Sequence, residues 1–188
     1  MIIPPYDTPQ YKLFFHAEDG ALAALQQLIA DGGLDINGKD DYGWTALSLA
    51  ARSGHTECVR YLLENGADPA LPNDDDGWTP LMFAAYADDR DAMDLLIKKG
   101  ANIHAKDTED GRTALMWCAL WGFRDGIETL INAGARTDDK DKRGQTAADL
   151  AESRKHPELF CGLESHAERK SRQCQNFRRY LKNKHLKR

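Results

Sequence analysis

The sequence predicts an all-α solenoid, a stack of helix-turn-helix repeats with hairpin loops, closed by a C-terminal amphipathic helix. Three observations carry this prediction. Gly43, Gly77, Gly111 and Gly144 lie 34, 34 and 33 residues apart, each followed two positions later by Thr45, Thr79, Thr113 or Thr146. Gly66, Gly100 and Gly134 form a second series with a spacing of 34, each preceding Ala67, Ala101 or Ala135. Finally, the apolar pairs Leu62 with Leu63, Leu95 with Leu96 and Leu130 with Ile131 recur in step with the glycines. No unit of about 33 residues can cover such a pair alone, so neighbouring units must stack into one continuous core.

Taken in order, the first unit (9–40) is degenerate but keeps apolar residues at Leu13, Ala17, Leu25, Leu28 and Ile29. The next three units (41–74, 75–108 and 109–141) contain the aligned strings DYGWTALSLAARSGHTECVRYLLENGADP, DDGWTPLMFAAYADDRDAMDLLIKKGANI and EDGRTALMWCALWGFRDGIETLINAGART. In each, the threonine can accept from free backbone amides at the start of the first helix, and Pro80 suits a first turn whose amide needs no partner. Gly54 and Gly122 can take the left-handed conformation that ends this helix, and Gly66, Gly100 and Gly134 can do the same for the second. Asp88 stands where the other two copies have Gly54 and Gly122, a position Asp tolerates better than most residues. A partial fifth unit (142–165) keeps Thr146, Leu150 and Ala151. Degenerate ends are expected, because terminal units of a stack face water on one side.

These strings resemble ankyrin repeats, whose pattern runs from Gly-x-Thr-Pro-Leu-His through a short helix, Gly-His, a second helix and Gly-Ala-Asp. The resemblance covers three full copies and implies an ankyrin repeat domain over residues 9–153, followed by a capping helix with a basic tail over 154–188. One departure is consistent: the usual His after Thr-x-Leu is replaced by Ser48, Met82, Met116 and Asp149. The inter-repeat hydrogen bonds that His makes in the family are therefore expected to be missing.

Composition narrows the function. With 188 residues, 41% hydrophobic and 29% charged, the chain reads as an ordered, water-soluble protein of one domain. No uncharged stretch approaches the roughly 20 apolar residues that span a bilayer. The Met-Ile-Ile-Pro-Pro start lacks the pattern of a secretory signal, so cytoplasmic residence is expected, or nuclear in a eukaryote. Cys58, Cys118, Cys161 and Cys174 are widely separated and read as reduced thiols. The net charge of −5 conceals an asymmetry: residues 169–188 hold nine Lys or Arg and no Asp or Glu, which leaves −14 on residues 1–168.

The resemblance implies binding of other macromolecules through the hairpin tips and the inner face of the first helices, without catalysis. In the repeat register, the inner-face positions carry Trp44, Trp78, Arg112 and Gln145, then Leu49, Phe83, Trp117 and Leu150, then Arg52, Tyr86, Leu120 and Trp121. All four tryptophans fall on this face. Aromatic clusters on a concave surface suit recognition; the alternative is that the rings pack on one another and thicken the inner wall, or are covered by the C-terminal segment. Trp78, Phe83, Tyr86 and Trp117 are expected to converge on a partly open box that attracts cations, with Asp76 and Asp110 among the acidic residues flanking it. This arrangement is similar to the methyl-lysine cage in the ankyrin modules of histone lysine methyltransferases, from which Tyr86 departs where that cage has an acidic residue. The expected ligand is a partner protein or a basic linear peptide carrying Arg or Lys, docked on Tyr42, Trp44, Trp78, Phe83, Tyr86, Trp117 and Trp121. An inhibitor or immunity-type protein clamping a folded partner is the alternative.

No cofactor, metal or catalytic constellation emerges. Asn73-Asp74-Asp75-Asp76-Gly77 lacks the alternating carboxylates and terminal Glu of an EF-hand and reads as a solvated hairpin tip. His156, Cys161, His166 and Cys174 do not match structural-zinc spacing. Cys58 and Cys118 occupy apolar repeat positions, which favours packing over nucleophilic chemistry. In the tail, Phe160, Leu163, Ala167, Cys174, Phe177 and Leu181 make one helical stripe, while Arg169, Lys170, Arg172, Arg178, Arg179, Lys182 and Lys184 occupy other faces. That basic surface is expected to dock on the acidic array, to remain solvated, or to bind nucleic acid or an anionic membrane surface without sequence specificity.

Overall fold

A computed structural model describes residues 8–154. Nine helices occur within this span: α1 (Pro9–Asp19), α2 (Leu22–Asp31), α3 (Ala46–Arg52), α4 (Thr56–Glu64), α5 (Pro80–Tyr86), α6 (Arg90–Lys98), α7 (Ala114–Trp121), α8 (Arg124–Asn132) and α9 (Ala147–Ser153). They form two rows. The inner row runs α1, α3, α5, α7, α9, each helix packing on the next, and the outer row runs α2, α4, α6, α8 in the same way. Among the described residues there is no extended strand, only an isolated antiparallel bridge between Lys39 and Thr45 at the first hairpin. The C-terminal helix expected over 154–188, with its basic residues, lies outside the described residues apart from Arg154.

The helices start where the threonines stand. Thr45, Thr79, Thr113 and Thr146 have extended backbones, and each hydroxyl accepts from the amide three residues on, at Ser48, Met82, Met116 and Asp149. Thr146 and Asp149 complete a reciprocal capping box. Asp149 therefore puts the position vacated by the family His to local use, as Ser48 does through its hydroxyl contact with Thr45 at 2.9 Å. Links between repeats come from the hairpins: Thr108 N–H donates to the Asp76 carbonyl (2.7 Å) and Lys142 N–H to the Asp110 carbonyl (2.8 Å).

The core is a column of side chains shared between units. Leu13, Leu25, Leu47, Leu62, Leu81, Leu96, Leu115, Leu130 and Leu150 are all fully buried. Small residues let the rows approach. Gly126 in α8 faces Cys118 of α7 so closely that an added Cβ would lie 2.7 Å from its sulfur.

The turn between paired helices needs a left-handed residue. Gly54 and Gly122 adopt φ of 71° and 83°, and Asp88 is held at φ 54° in the equivalent place. The next residue, Asp89, caps α6 through the Ala92 amide (2.9 Å) and accepts from the Thr56 hydroxyl of the preceding repeat (2.6 Å). Asp88 is exposed as a residue, and the partial desolvation of its carboxyl, followed by the nearby Asp125, raises that carboxyl above the usual range.

Two stability predictions follow from these geometries. Asp88→Gly relieves the left-handed strain and should add about 1 kcal/mol, read as a rise of about 2–4 °C in Tm. Gly126→Ala gains about 1 kcal/mol of helix propensity but overpacks against Cys118 at a cost of about 1–3 kcal/mol. Net destabilisation in denaturant titration is expected, reversed when Cys118→Ala is added; additivity of the two changes would show that this contact does not limit packing.

Candidate functional site

Each hairpin is bracketed by one polar side chain at its start. The amides of Asp40, Asn73, Asp107 and Asp141 donate to the carbonyls of Trp44, Trp78, Arg112 and Gln145, each at 2.9 Å. The side chains turn back on the same loops. Asp40 Oδ1 accepts from the Tyr42 and Trp44 amides, Asn73 Oδ1 from Trp78, Asp107 Oδ1 from Asp110 and Gly111, and Asp141 Oδ1 from Arg143 and Gln145. Such carboxylates and amides satisfy loop donors that no helix or sheet supplies with partners. Asn73 is almost fully buried, so only part of the Asn73–Gly77 segment is a solvated tip. Asp74 pairs with Lys39 of the previous hairpin, Asp76 supplies its carbonyl to Thr108, and Asp75 is exposed.

These brackets fix the residue after each hairpin glycine, and two of those residues are tryptophans. Trp44 packs on Phe83 at 4.6 Å between ring centroids, Phe83 on Trp78 at 5.1 Å, and Trp78 on Trp117 at 4.5 Å. Four aromatic rings from three repeats thus form one ladder along the inner row of helices. Tyr86 meets the edge of Trp78 at 5.9 Å, and Trp121 meets Tyr86 nearly perpendicularly at 5.9 Å. The ladder carries its own cations at both ends: Arg52 lies 5.0 Å over the Trp44 ring and Arg112 4.9 Å over Trp117. Trp117 is further fixed by its indole N–H, which donates to Asp107 Oδ2 at 3.0 Å.

The inner-face positions separate by depth. Phe83, Leu120 and Arg112 are buried, where the repeat register alone placed them at the surface. Phe83 and Leu120 belong to the floor. Arg112 is held by Asp110 at 2.7 Å, with Asp141 3.8 Å away. Trp44, Trp78 and Trp117 are half-buried, and Tyr42, Tyr86 and Trp121 are exposed at 72%, 47% and 46%. Trp78 stands at the centre of the four residues expected to converge, with the rings of Phe83, Tyr86 and Trp117 each packed on it. The surface they offer is the outer side of the ladder.

Two features were not anticipated from the sequence. The bracket residues Asp40, Asn73, Asp107 and Asp141 recur at spacings of 33, 34 and 34, a third periodic series that the glycine alignment already contains. The second is an open groove of about 620 Å³ between α1 and the first hairpin, bounded by Phe14, Phe15, Tyr42, Trp44, Leu49 and Arg52. Phe15 is exposed and continues the aromatic surface past Trp44 into the degenerate first repeat, which only its apolar spacing made readable.

Cys58 and Cys118 are buried free thiols. Burial pushes the Cys118 thiol strongly up, and burial followed by Glu57 raises that of Cys58, so both stay protonated at neutral pH. Among the described residues, no three His, Cys, Asp or Glu side chains are grouped to hold a metal ion, and no helix is long and apolar enough to cross a membrane. The His156, Cys161, His166 and Cys174 set lies outside the described residues.

Comparison with known proteins agrees with this architecture. A family model for ankyrin repeats in three copies matches residues 13–107, and one for many copies matches residues 88–131. The chain is similar to ankyrin repeat domain-containing protein 29 of Danio rerio, at 51% identity over 51 residues, and of Homo sapiens, at 42% over 50 residues. Each match covers 27% of this chain and 17% of the relative. It is also similar to cortactin-binding protein 2 of Echinops telfairi, at 47% identity over 47 residues, or 25% of this chain and 3% of that protein.

Asp107 ties a hairpin to the ladder, so its removal should be felt at both. Asp107→Ala leaves two backbone donors and the Trp117 indole N–H without their acceptor and is expected to cost about 2–4 kcal/mol in chemical denaturation. A red shift of tryptophan emission should accompany it. Unchanged emission and stability would mean that the ring is positioned by stacking alone.

Proposed function

The chain belongs to the ankyrin repeat family, whose members generally serve as non-catalytic protein-interaction modules, and from that premise we propose that it binds an extended segment of a partner protein along its concave aromatic face. The observation that carries the reading is the ladder from Trp44 to Trp117, a rigid wall from which Tyr42, Tyr86 and Trp121 project. Stacked rings lose little entropy when a partner covers them, and exposed Tyr and Trp combine apolar area with a polar tip. Among the described residues, the indole N–H groups of Trp78 and Trp121 have no acceptor, in contrast to that of Trp117. Carbonyls of an extended partner segment would supply them.

The partner's preferred side chains are Arg and Lys. Residues 8–154 contain 26 Asp and Glu against 15 Lys and Arg, and Asp41, Asp75 and Glu109 are exposed at successive hairpins. This field accelerates approach of a cationic segment and weakens with salt. Arg52 and Arg112 already cover the faces of Trp44 and Trp117, so the partner's cations meet the hairpin carboxylates, and its apolar side chains meet Tyr86 and Trp121.

The test is affinity capture from lysate with the full chain and a Tyr86→Ala, Trp121→Ala variant, followed by titration with the captured partner's segment. Both residues are exposed, so circular dichroism should be unchanged, while affinity should fall by about 10²-fold or more if they act as hot spots. Charge removal at Asp41, Asp75 and Glu109 should slow association and flatten its salt dependence. Equal capture by wild type and both variants would sink the reading.

A further inference from the structure

The groove between α1 and the first hairpin joins an apolar surface to unpaired negative charge. Phe15 and Tyr42 are exposed, and Trp44 forms the inner wall beneath Arg52. Glu18 and Asp41 are exposed beside them and have no ion-pair partner among the described residues. Lys39, a cation at the rim, is already engaged by Asp74. A fitting occupant presents aromatic and aliphatic side chains interleaved with cations.

The chain contains such a segment. Residues 177–182 read Phe-Arg-Arg-Tyr-Leu-Lys, within a stretch of nine Lys and Arg and no acidic residue over 169–188. Reach is sufficient. Four helix-to-helix steps of about 8–10 Å separate α9 from α1 along the inner row, roughly 32–40 Å in all. The 23 residues from Arg154 to Phe177 span about 35 Å if helical and about 80 Å if extended. Covalent attachment gives such a segment an effective concentration in the millimolar range, which an external competitor must exceed.

We infer that the C-terminal segment 169–188 is an intramolecular ligand of this groove, with Phe177 and Tyr180 set against Phe15, Tyr42 and Trp44, and the neighbouring cations against Glu18 and Asp41. The chain then covers the N-terminal end of its own concave face, and anything binding there must first displace the tail. The contact forms within one chain and requires no external partner, so its test stands apart from the capture experiment, whose Tyr86→Ala, Trp121→Ala arm on α5 and α7 leaves every groove residue intact.

The test is zero-length carbodiimide crosslinking of the full chain at low concentration, with mass spectrometry of the monomer fraction. Crosslinks from Lys182 and Lys184 to Glu18 and Asp41 are expected, falling at least about fivefold between about 0.02 M and 0.5 M salt as the Debye length contracts. A Phe177→Ala, Tyr180→Ala variant retains every charge and leaves residues 8–154 untouched; it should lose the same crosslinks by a similar factor. Crosslinks confined to a dimer fraction would assign the tail to a second copy and overturn the inference. So would crosslinks spread evenly over outer-row carboxylates such as Glu57 and Glu128, or insensitive to the aromatic substitutions, since either describes diffuse attraction without a seat in the groove.

Discussion

A helix of seven to eleven residues is too short to persist alone in water, and every helix of the described array is of this kind. What stabilises them is the burial of one apolar stripe against the next unit, so that Leu62, Leu96 and Leu130 each belong to two repeats at once. Everything else in the architecture serves that stacking. The threonine caps and hairpin brackets satisfy the many helix ends that short helices create, and Gly126 lets the outer row close on Cys118. Stability of this type is distributed along the stack, and its ends are its weakest points.

The same constraint produces the aromatic surface along the inner row. Because each hairpin is pinned by Asp40, Asn73, Asp107 or Asp141 at a fixed step, the residue after each hairpin glycine is delivered to the same place in every repeat. Aromatic residues at those places cannot avoid one another. Trp78 reaches Trp117 in the next repeat and Phe83 in its own, and Phe83 reaches back to Trp44. The stacking that builds the core thus extends outward as a ladder of rings, rigid for the same reason the core is.

The repeat length, the helix starts and the left-handed turns were legible in the sequence because each is a local requirement: a cap needs a hydroxyl, a tight turn needs Gly or a tolerant residue such as Asp88. Depth was not. Periodicity put Phe83, Leu120 and Arg112 on the inner face, but whether a side chain there is covered depends on its neighbours in adjacent repeats, and Arg112 is covered because Asp110 and Trp117 surround it. Likewise the way Phe83, Tyr86 and Trp117 gather on Trp78 depends on the spacing between helices and repeats, which no single repeat's sequence displays. The bracket residues were readable but unread, because Asp and Asn next to Gly look like ordinary solvated turn residues until their side chains are seen folded back onto the loop. The groove beside α1 depends on Phe14 and Phe15 in a repeat whose motif has decayed.

Self-capping by Arg52 and Arg112 changes what the face can select. A guanidinium over an indole satisfies the ring's negative potential, so a bare positive charge gains little from Trp44 or Trp117 that it does not lose in displacing the resident arginine. Discrimination shifts to the exposed edges of Tyr42, Tyr86 and Trp121 and to the unpaired indole donors, which reward shape and hydrogen bonding more than charge. The acidic surplus acts earlier, on approach. It raises the encounter rate of any cationic segment, and the segment it meets most often is the one attached to its own C-terminus. With the tail seated as proposed, the asymmetric charge distribution would act as a filter: ligands that rely on charge alone would compete with the tail at a disadvantage, and those that also fit the ladder would not.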